Sequence, residues 1–383
     1  MRKLLILGAS GSIGSQTLDV IITYNLYELV AVTVGNRFNA VDEIIAKFPT
    51  VKFVTLKDPK VAKEYQIKYP NVTFYSGNDG LLEIIENSGA DVVVNALTGF
   101  AGLLPSIKTL EKNKILCLAN KESLVVGGEF INKLLKDGHG KLYPIDSEHV
   151  AIAKCLYGKN IDDVEKILIT ASGGPFFDLD SSKFSEIKVE DALKHPNWSM
   201  GKKITIDSST MMNKAFEITE AYYLFGVPKE KIFPLVDRKS HVHSLVKFKN
   251  GEVRLQVGPS DMRIPIYYAL TFGKCDNGEK FDDVEINTYD KYSFKEMDYE
   301  KFPLINYGKF IIDKKGNMGA IINAANEECV YAFLNFNINY VDIKNIIDKI
   351  VNVYPYIKDP SLEEIIKTDL EVRNLVNEMI KNK

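Results

Sequence analysis

A chain of 383 residues is long enough for two or three domains, and a composition of 45% hydrophobic and 26% charged residues is typical of a folded globular protein. The formal net charge of −3 argues against a general nucleic-acid binder, which carries a basic excess. Four scattered cysteines without a CxxC pair indicate neither a disulfide framework nor a thiolate zinc site. With no signal-peptide pattern and no apolar run of membrane-spanning length, we expect a cytoplasmic protein with a small-molecule partner, no nucleic acid and no membrane.

The first 145 residues alternate short apolar runs with helical patterns, which predicts an α/β fold with a Rossmann-like, doubly wound parallel sheet. The predicted strands are residues 3–7, 29–34, 52–56, 91–96, 114–118 and 141–145. From Val164 onward, strand-like runs at 166–170, 243–248 and 253–257 are joined by long loops, which indicates a central α+β domain. The region from Gly273 to about Phe302 is polar and aromatic without a clear period, so we interpret it as a linker.

The C-terminal part has a helical pattern and predicts a small helical bundle. Residues 318–336 place six apolar side chains near one helical face: Ile321, Ile322, Ala325, Cys329, Val330 and Phe333. Ser361 and Glu364 have the spacing of a capping box before Ile365.

A glycine-rich turn follows the first predicted strand and precedes a helical pattern. Gly8, Gly11 and Gly14 have the context of a nucleotide-binding turn, although a tight loop without a ligand is the alternative. An NAD site would carry an acidic residue about twenty residues later, whereas this chain has Gly35-Asn36-Arg37. An arginine there favours the 2′-phosphate of NADP, and a solvated loop charge is the alternative.

Polar residues also follow later strands of the predicted sheet. Asn120-Lys121-Glu122 follows the strand at 114–118, where open α/β sheets bind ligands, although capping of the next helix is an alternative. Asp146 and Glu148 follow the strand at 141–145, and carboxylates two apart on extended chain point to one side. Together with Glu217 they offer an oxygen-only site suited to Mg²⁺ or Mn²⁺, although each alone is an ordinary cap or surface charge.

The stretch 195–217 holds an imidazole, the only tryptophan, hydroxyls, an amide, an ammonium and a carboxylate. His195, Trp198 and Met200 form a candidate lid over a nicotinamide or substrate. The run 207–210 is rich in N-cap residues and predicts a helix start, where anions bind. In that helix Asn213 and Glu217 share one face. A second candidate anion site is the turn that begins at Ser172, with its paired glycines, although a simple turn is equally compatible.

Five motifs occur in order: GASGSIG at 8–14, LANKESLV at 118–125, IDSEH at 145–149, SGGPF at 172–176 and HPNWSMGKKITIDSSTMMNK at 195–214. Together they resemble the 1-deoxy-D-xylulose 5-phosphate reductoisomerase family over nearly the whole chain. The resemblance implies NADPH- and metal-dependent conversion of 1-deoxy-D-xylulose 5-phosphate to 2-C-methyl-D-erythritol 4-phosphate, in a homodimer. It implies an NADPH-binding domain at 1–145, a catalytic domain at 146–273 with a lid near 176–202, a linker at 274–302 and a helical domain at 303–383.

The resemblance also implies a set of site residues. Metal ligands would be Asp146, Glu148 and Glu217, with Mg²⁺ or Mn²⁺ as the ion. Substrate contacts would come from Lys121, Ser147, Glu148, Ser172, His195, Trp198, Ser208, Asn213, Lys214 and Glu217. Of these, Lys121, Glu148 and His195 would have catalytic positions. NADPH contacts would come from Gly8, Ser10, Gly11, Ser12, Ile13, Gly35, Asn36, Arg37, Asn120, Glu122, Met200 and Gly201.

One segment departs from the family pattern. Where the family reads HPQS and, after two residues, HS, this chain has Asp237-Arg238-Lys239-Ser240 and then His243-Ser244. This departure leaves a non-catalytic NADP-binding protein open as an alternative. A metal-independent NADP oxidoreductase acting on another phosphorylated substrate is a second alternative.

Overall fold

The computed structural model describes residues 1–198, 200–274 and 292–382. The strands in these residues are β1 (Arg2–Leu7), β2 (Tyr27–Val34), β3 (Phe53–Leu56), β4 (Thr73–Ser76), β5 (Val92–Asn95), β6 (Ile115–Leu118), β7 (Lys141–Pro144), β8 (Val164–Ala171), β9 (Ile232–Asp237), β10 (Val242–Phe248), β11 (Val253–Val257) and β12 (Phe294–Lys295). The helices are α1 (Ser12–Tyr24), α2 (Ala40–Lys47), α3 (Pro59–Lys68), α4 (Gly77–Asn87), α5 (Leu103–Glu111), α6 (Glu122–Lys136), α7 (Ser147–Leu156), α8 (Val189–Ala192), α9 (Lys202–Thr210), α10 (Met212–Phe225), α11 (Arg263–Leu270), α12 (Tyr307–Lys314), α13 (Met318–Leu334), α14 (Tyr340–Val353) and α15 (Leu362–Lys381). Among the described residues, none of these helices has the length and apolar character needed to span a bilayer.

The chain divides into two compact units. The first contains Met1–Ser123, Glu129–Val150 and a segment that begins at Asp261. The second contains Leu124–Gly128, Ala151–Ser260 and the described residues from 292 onward. The domain borders that the sequence predicts, after residues 145, 273 and 302, remain predictions.

The first unit contains a seven-stranded parallel sheet with the strand order β4-β3-β2-β1-β5-β6-β7. This order confirms the Rossmann-like prediction, and six strands coincide with the predicted apolar runs. The sequence missed β4, whose four residues lie at the sheet edge and include none that is buried, so no apolar run marks it. The strand order reverses between β1 and β5, which is where open sheets of this kind bind ligands.

The core of the first unit explains its strand sequences. Leu4, Leu5, Ile6 and Leu7 are all fully buried, because helices cover both faces of a parallel sheet and leave no solvent-facing side. Helix α11 belongs to this unit although it lies far along the chain, and the Tyr27 hydroxyl donates to its Leu270 carbonyl at 2.6 Å.

The second unit contains a five-stranded sheet in the order β11-β10-β8-β9-β12. Strands β8 and β9 are parallel, and the remaining pairs are antiparallel. This mixed sheet with its helices confirms the predicted α+β class. The central strand β8 ends at Ala171, directly before Ser172, so the candidate anion turn begins where the middle of the sheet stops.

The C-terminal helices also agree with the sequence. All six apolar side chains that the pattern placed on α13 are buried in one core. The predicted capping box begins α15: the Ser361 amide donates to the Glu364 carboxylate at 2.7 Å, and the Glu364 amide donates to the Ser361 hydroxyl at 3.2 Å.

The predicted linker, 274–302, lies mostly outside the described residues, which omit 275–291. In its described part, β12 pairs with β9, and the side chains of Met297 and Phe302 are buried. The first half of the predicted lid is anchored, because Phe176, Ile187 and Val189 lie in the same core as α13. Movement of the segment 195–200 remains a prediction.

The predicted helix start at 207–210 is wrong in position. These residues form the last turn of α9, Met211 adopts a left-handed conformation (φ 63°), and α10 begins only at Met212. The candidate capping groups are engaged elsewhere: Asp207 pairs with Lys203 at 2.7 Å, and the Ser209 hydroxyl donates back to the Ile206 carbonyl at 2.7 Å. Hydroxyl residues that bond to their own helix continue it instead of starting a new one.

Candidate functional site

The glycine-rich turn after β1 has the geometry of an anion-binding turn. A side chain at Gly8 (φ +83°) would come within 2.8 Å of the Ala96 carbonyl oxygen, and one at Gly14 within 2.2 Å of the Gly8 carbonyl oxygen. The Gly11 residue caps α1 without any side-chain bond to the helix. The amide N–H groups of the first turn of α1 therefore have no side-chain cap, as in helix starts that bind phosphate.

Further predicted nucleotide residues of the first unit lie in this turn and directly after β2. Ser10 and Ile13 are half-buried, Ser12 is exposed, and the segment Gly35-Asn36-Arg37 at the end of β2 is exposed. The Gly8 amide donates to the Thr33 hydroxyl at 2.8 Å, which ties the turn to the end of β2. The structure thus brings the glycine turn and the end of β2 together.

Asn120 has a structural role at the end of β6. Its side-chain amide donates to the carbonyls of Leu97 and Gly99 at 2.9 Å each and to Glu122 at 3.1 Å. Its side-chain oxygen accepts from the Ser123 amide at 2.9 Å. The polar groups of Asn120 are engaged by protein groups, so its side chain shapes the loop in the way that the capping alternative describes.

Lys121 and Asp146 form a buried ion pair at the ends of β6 and β7. The Lys121 ammonium lies 2.8 Å from one Asp146 oxygen, and the ring Nδ1 of His149 lies 2.9 Å from the other. Burial alone would raise the pKa of Asp146, but the charges of Lys121 and His149 hold that pKa well below its ordinary value. Asp146 is therefore ionised at neutral pH.

Glu148 lies beside Asp146 in the first turn of α7. One carboxylate oxygen of each residue lies within 4.8 Å of the other, and the Glu148 amide donates to Asp146 at 3.2 Å. The Ser147 hydroxyl donates to the Glu148 carboxylate at 2.6 Å. Two carboxylates at this separation form a hard, oxygen-donor pair of the kind that Mg²⁺ and Mn²⁺ prefer.

In the second unit, Ser172 and His195 are hydrogen-bonded. The His195 ring Nδ1 accepts from the backbone amides of Trp198 at 2.9 Å and Asn197 at 3.3 Å, so the proton of the neutral ring lies on Nε2. That Nε2 lies 3.1 Å from the Ser172 hydroxyl oxygen. Burial, with a smaller contribution from the charge of Arg238, lowers the pKa of His195 to about 4.

The side chains of Asn213, Lys214 and Glu217 meet at the start of α10. The Asn213 amide donates to one Glu217 oxygen at 2.5 Å, and the Lys214 ammonium contacts the other Glu217 oxygen and the Thr170 carbonyl of β8. Lys214 and Glu217 are both almost fully buried. The predicted shared face of Asn213 and Glu217 is thus present, and Lys214 joins it from the neighbouring position.

The end of α9 approaches the Ser172 turn. A side chain at Gly174 would come within 2.9 Å of the Ser208 carbonyl oxygen, so this close contact requires glycine. The Trp198 ring lies 6.0 Å from the His243 ring, and Met200 and Gly201 lead into α9. The second unit therefore collects hydroxyl, amide and ammonium groups from the end of β8, the end of α9 and the start of α10.

Sequence reasoning missed two residues that support these groups. His149 is fully buried and contacts Asp146. It follows Asp146 by three residues, a spacing that brings side chains together on a helix, so the sequence contained a signal for this contact. Arg238 donates to the carbonyls of Ser172 at 2.5 Å and Gly174 at 2.8 Å. Its signal was the departure from the family pattern, which the sequence alone could not connect to Ser172.

The fold and these side chains define a class: a dinucleotide-binding type of parallel-sheet unit, joined in one chain to an α+β unit that carries a set of hydroxyl, amide and ammonium donors. Family models give the particular member of that class. The model described as 1-deoxy-D-xylulose 5-phosphate reductoisomerase matches residues 4–128, its C-terminal-domain model matches 142–225, and a model for the DXP reductoisomerase C-terminal domain matches 257–375. The chain belongs to the 1-deoxy-D-xylulose 5-phosphate reductoisomerase family.

Relatives and solved structures agree with this placement. The chain is 40% identical over 383 residues to 1-deoxy-D-xylulose 5-phosphate reductoisomerase 2 of Bacillus thuringiensis subsp. konkukian, covering 99% of this chain and 100% of the relative. It is 40% identical to the reductoisomerase of Halalkalibacterium halodurans, with both chains fully covered. The Zymomonas mobilis reductoisomerase in complex with NADPH superposes with a TM-score of 0.91 at 34% identity, with both chains fully covered. A DOX-P reductoisomerase in complex with NADPH, fosmidomycin and magnesium superposes with a TM-score of 0.92 at 32% identity, covering 100% of this chain and 98% of that one.

Proposed function

We propose that this protein converts 1-deoxy-D-xylulose 5-phosphate and NADPH to 2-C-methyl-D-erythritol 4-phosphate and NADP⁺, with Mg²⁺ or Mn²⁺. The observation that carries the proposal is the donor set of the second unit, in a chain whose first unit has a dinucleotide-binding turn. The relatives named for this activity match the chain over its full length, which supports the same reaction here.

The substrate phosphate is proposed to bind in the second unit, to Ser172, Ser208, Asn213 and Lys214. Lys214 supplies charge, and the hydroxyls and the amide supply directed donors. His195 remains neutral at pH 7 because its pKa is about 4, and its Nε2 proton is directed to the Ser172 hydroxyl, so it is proposed to act on the substrate through that hydroxyl without adding a charge. Trp198 is proposed to cover the substrate and exclude water.

The metal ion is proposed to bind to Asp146, Glu148 and Glu217. The fit is chemical: all three offer carboxylate oxygens, and the low pKa of Asp146 keeps it in the anionic form that a cation requires. A bound divalent ion supplies a Lewis acid for the ketone and hydroxyl oxygens of the substrate. The crystal structure of a relative with magnesium supports the choice of ion.

NADPH is proposed to bind to the first unit and to supply the hydride. Its pyrophosphate would meet the Gly8 turn, with Ser10, Gly11, Ser12 and Ile13, and its 2′-phosphate would meet Arg37. Gly35, Asn36, Asn120, Glu122, Met200 and Gly201 complete the proposed contacts. Because the side-chain amide of Asn120 is engaged by protein groups, we expect its contribution to be the shape of the loop.

The reaction is an isomerisation of the carbon skeleton to an aldehyde of the same composition, followed by reduction of that aldehyde by NADPH and a proton. Lys121 and Glu148 are proposed to contact the reacting oxygens together with Ser147. The Lys121 ammonium is held by Asp146 at 2.8 Å, so it can stabilise developing negative charge from a fixed position.

The test follows NADPH absorbance with saturating 1-deoxy-D-xylulose 5-phosphate, with and without Mg²⁺ or Mn²⁺. We expect substrate-dependent oxidation that stops on chelation, and a loss of about 100-fold or more in E217Q. The matched control is E165Q, which removes a half-buried carboxylate of the same unit that pairs with Lys247, and it should retain full activity. Folded protein that does not oxidise NADPH would reject the function, and turnover that survives chelation would favour the metal-independent oxidoreductase.

The remaining features are proposed on the family resemblance. They are a homodimer, a cytoplasmic location, and the domain assignment in which residues 1–145 bind NADPH and 146–273 carry the catalytic groups. The free thiols of Cys117, Cys155 and Cys329 support a reducing compartment. Sedimentation equilibrium tests the dimer, and a mass of one chain, 43.1 kDa, would reject it.

A further inference from the structure

The turn between β9 and β10 is the segment in which this chain departs from its family, and it is internally ordered. The Asp237 carboxylate accepts from the backbone amides of Lys239 at 3.2 Å and Val242 at 2.9 Å. Ser240 adopts a left-handed conformation (φ 51°) and donates through its amide to the Asp237 carbonyl at 3.0 Å. An aspartate that bonds the amides after it stabilises a tight turn, so Asp237 fixes the position of Arg238.

The Arg238 guanidinium holds both ends of the Ser172 turn. Its Nη1 donates to the carbonyls of Ser172 at 2.5 Å and Gly174 at 2.8 Å. Its Nη2 lies 3.2 Å from a carboxylate oxygen of the exposed Asp178. The guanidinium also lies over the Phe177 ring, 5.4 Å from its centre. A planar, always charged group with several fixed donors suits this arrangement better than a lysine does.

The Ser172 turn requires such support because two adjacent glycines follow Ser172. Gly173 (φ +80°) and Gly174 (φ +65°) are both left-handed, and a glycine pair has many other conformations available. The Ser172 hydroxyl accepts from the Gly174 amide at 3.1 Å and lies at the same distance from the His195 ring. With both lone pairs engaged, this hydroxyl can serve a ligand only as a donor.

The same β9–β10 turn also holds the segment that carries His195. The Asn197 side-chain amide donates to the Arg238 carbonyl at 2.9 Å and to the Ser240 hydroxyl at 2.7 Å. Arg238 thus contacts the Ser172 turn through its side chain and the His195 segment through its main chain.

We infer that Arg238 is a positioning residue for the phosphate end of the site: it fixes the Ser172 turn so that the Ser172 hydroxyl donates to the substrate's phosphate. This inference rests on the proposed function. Arg238 itself does not need to touch the phosphate, because its effect is transmitted through the two carbonyls that it binds.

The test is a double-mutant cycle between Arg238 and Ser172, measured as KM for 1-deoxy-D-xylulose 5-phosphate. We expect R238A to raise this KM about 5- to 30-fold, the usual effect of losing one oriented hydrogen bond, while kcat and the KM for NADPH change less than about 3-fold. R238K, which can reach one carbonyl, should restore part of the loss. In the S172A background, R238A should have no further effect, because its action passes through Ser172.

The matched control is K239A, which removes the same charge from the neighbouring, exposed position and should leave every constant unchanged. An R238A effect of equal size in both backgrounds would overturn the inference, because Arg238 would then act independently of Ser172. A folded R238A variant with unchanged KM would overturn it as well.

A second measurement needs no turnover. In the wild-type protein, nitrogen NMR should show the His195 ring with its proton on Nε2, and H195Q identifies its signals among the five histidines. R238A should shift these signals and K239A should not. If R238A shifts the His195 signals but the wild-type protein does not oxidise NADPH, the proposed function fails while the positioning by Arg238 stands. Unchanged His195 signals in R238A would overturn the positioning itself.

Discussion

Replacing Lys214 by methionine tests the proposed phosphate site most directly. Met keeps the length of the side chain and removes its charge and its donors. The Lys214 ammonium contacts the Thr170 carbonyl and the Glu217 carboxylate, and it is almost fully buried. A hydrogen bond from a charged group contributes about 1.5–3 kcal/mol, so KM for the phosphorylated substrate should rise about 10- to 150-fold.

The same substitution should also destabilise the second unit. Loss of one partner of a buried ion pair costs about 3–5 kcal/mol, and the lower end applies here because Glu217 keeps the Asn213 amide at 2.5 Å. A loss of about 3 kcal/mol corresponds to a fall of about 6–12 °C in Tm for a unit of this size. Differential scanning calorimetry measures that fall, and steady-state kinetics measures KM below the transition.

The control for this prediction is K231M. Lys231 also donates to a carbonyl of β8, that of Val164 at 2.6 Å, and it lies outside the proposed site. We expect K231M to leave KM unchanged. If folded K214M protein binds the substrate as well as the wild type does, or if K231M raises KM equally, Lys214 does not bind the phosphate.

Two further predictions concern the other unit and the histidine. Gly14→Ala should weaken NADPH binding about 10-fold or more, because the new side chain would lie 2.2 Å from the Gly8 carbonyl oxygen and overpack the turn. The control, Gly258→Ala, places its side chain 3.6 Å from the nearest neighbour and should bind NADPH normally. Equal affinities of the two variants for NADPH in a fluorescence titration would contradict the site. The His195 ring should titrate near pH 4 by NMR, and a midpoint above pH 6 would refute the buried, neutral ring. Because the pKa of His195 is lower in the folded protein than in the unfolded chain, the unfolded chain binds the extra proton first as the pH falls. The free energy of unfolding should therefore decrease from pH 7 towards pH 4, and it should decrease less in H195Q.

The fold could be predicted where the pattern of apolar residues is compatible with only one type of secondary structure. The last four residues of β1, Leu4 to Leu7, are all apolar because helices cover both sides of its sheet, and α15 starts where a capping box stands in the sequence. Strand β4 could not be found in this way, since an edge strand with no buried residue has no apolar run. The boundary between α9 and α10 was misplaced because the hydroxyl and carboxyl groups of 207–210 can cap a helix or bond within one. In the structure Lys203 and Asn326 both bind the Asp207 carboxylate, and Asn326 lies far along the chain.

The candidate site shows a similar limit for long-range contacts. Residue types indicated candidate groups for a cation only as a set, because a single carboxylate such as Asp146 or Glu148 is an ordinary helix cap or surface charge. What the sequence could not provide was the support of those groups, since His149 acts through a helical spacing and Arg238 lies 66 positions from the Ser172 that it holds. The departure at 237–239 left a non-catalytic NADP-binding protein open as an alternative, because the family motif is missing there. The bonds from Asp237 and Arg238 support the opposite interpretation: the divergent residues order their own turn and bind the Ser172 turn, so divergence at this position is compatible with an intact set of donors.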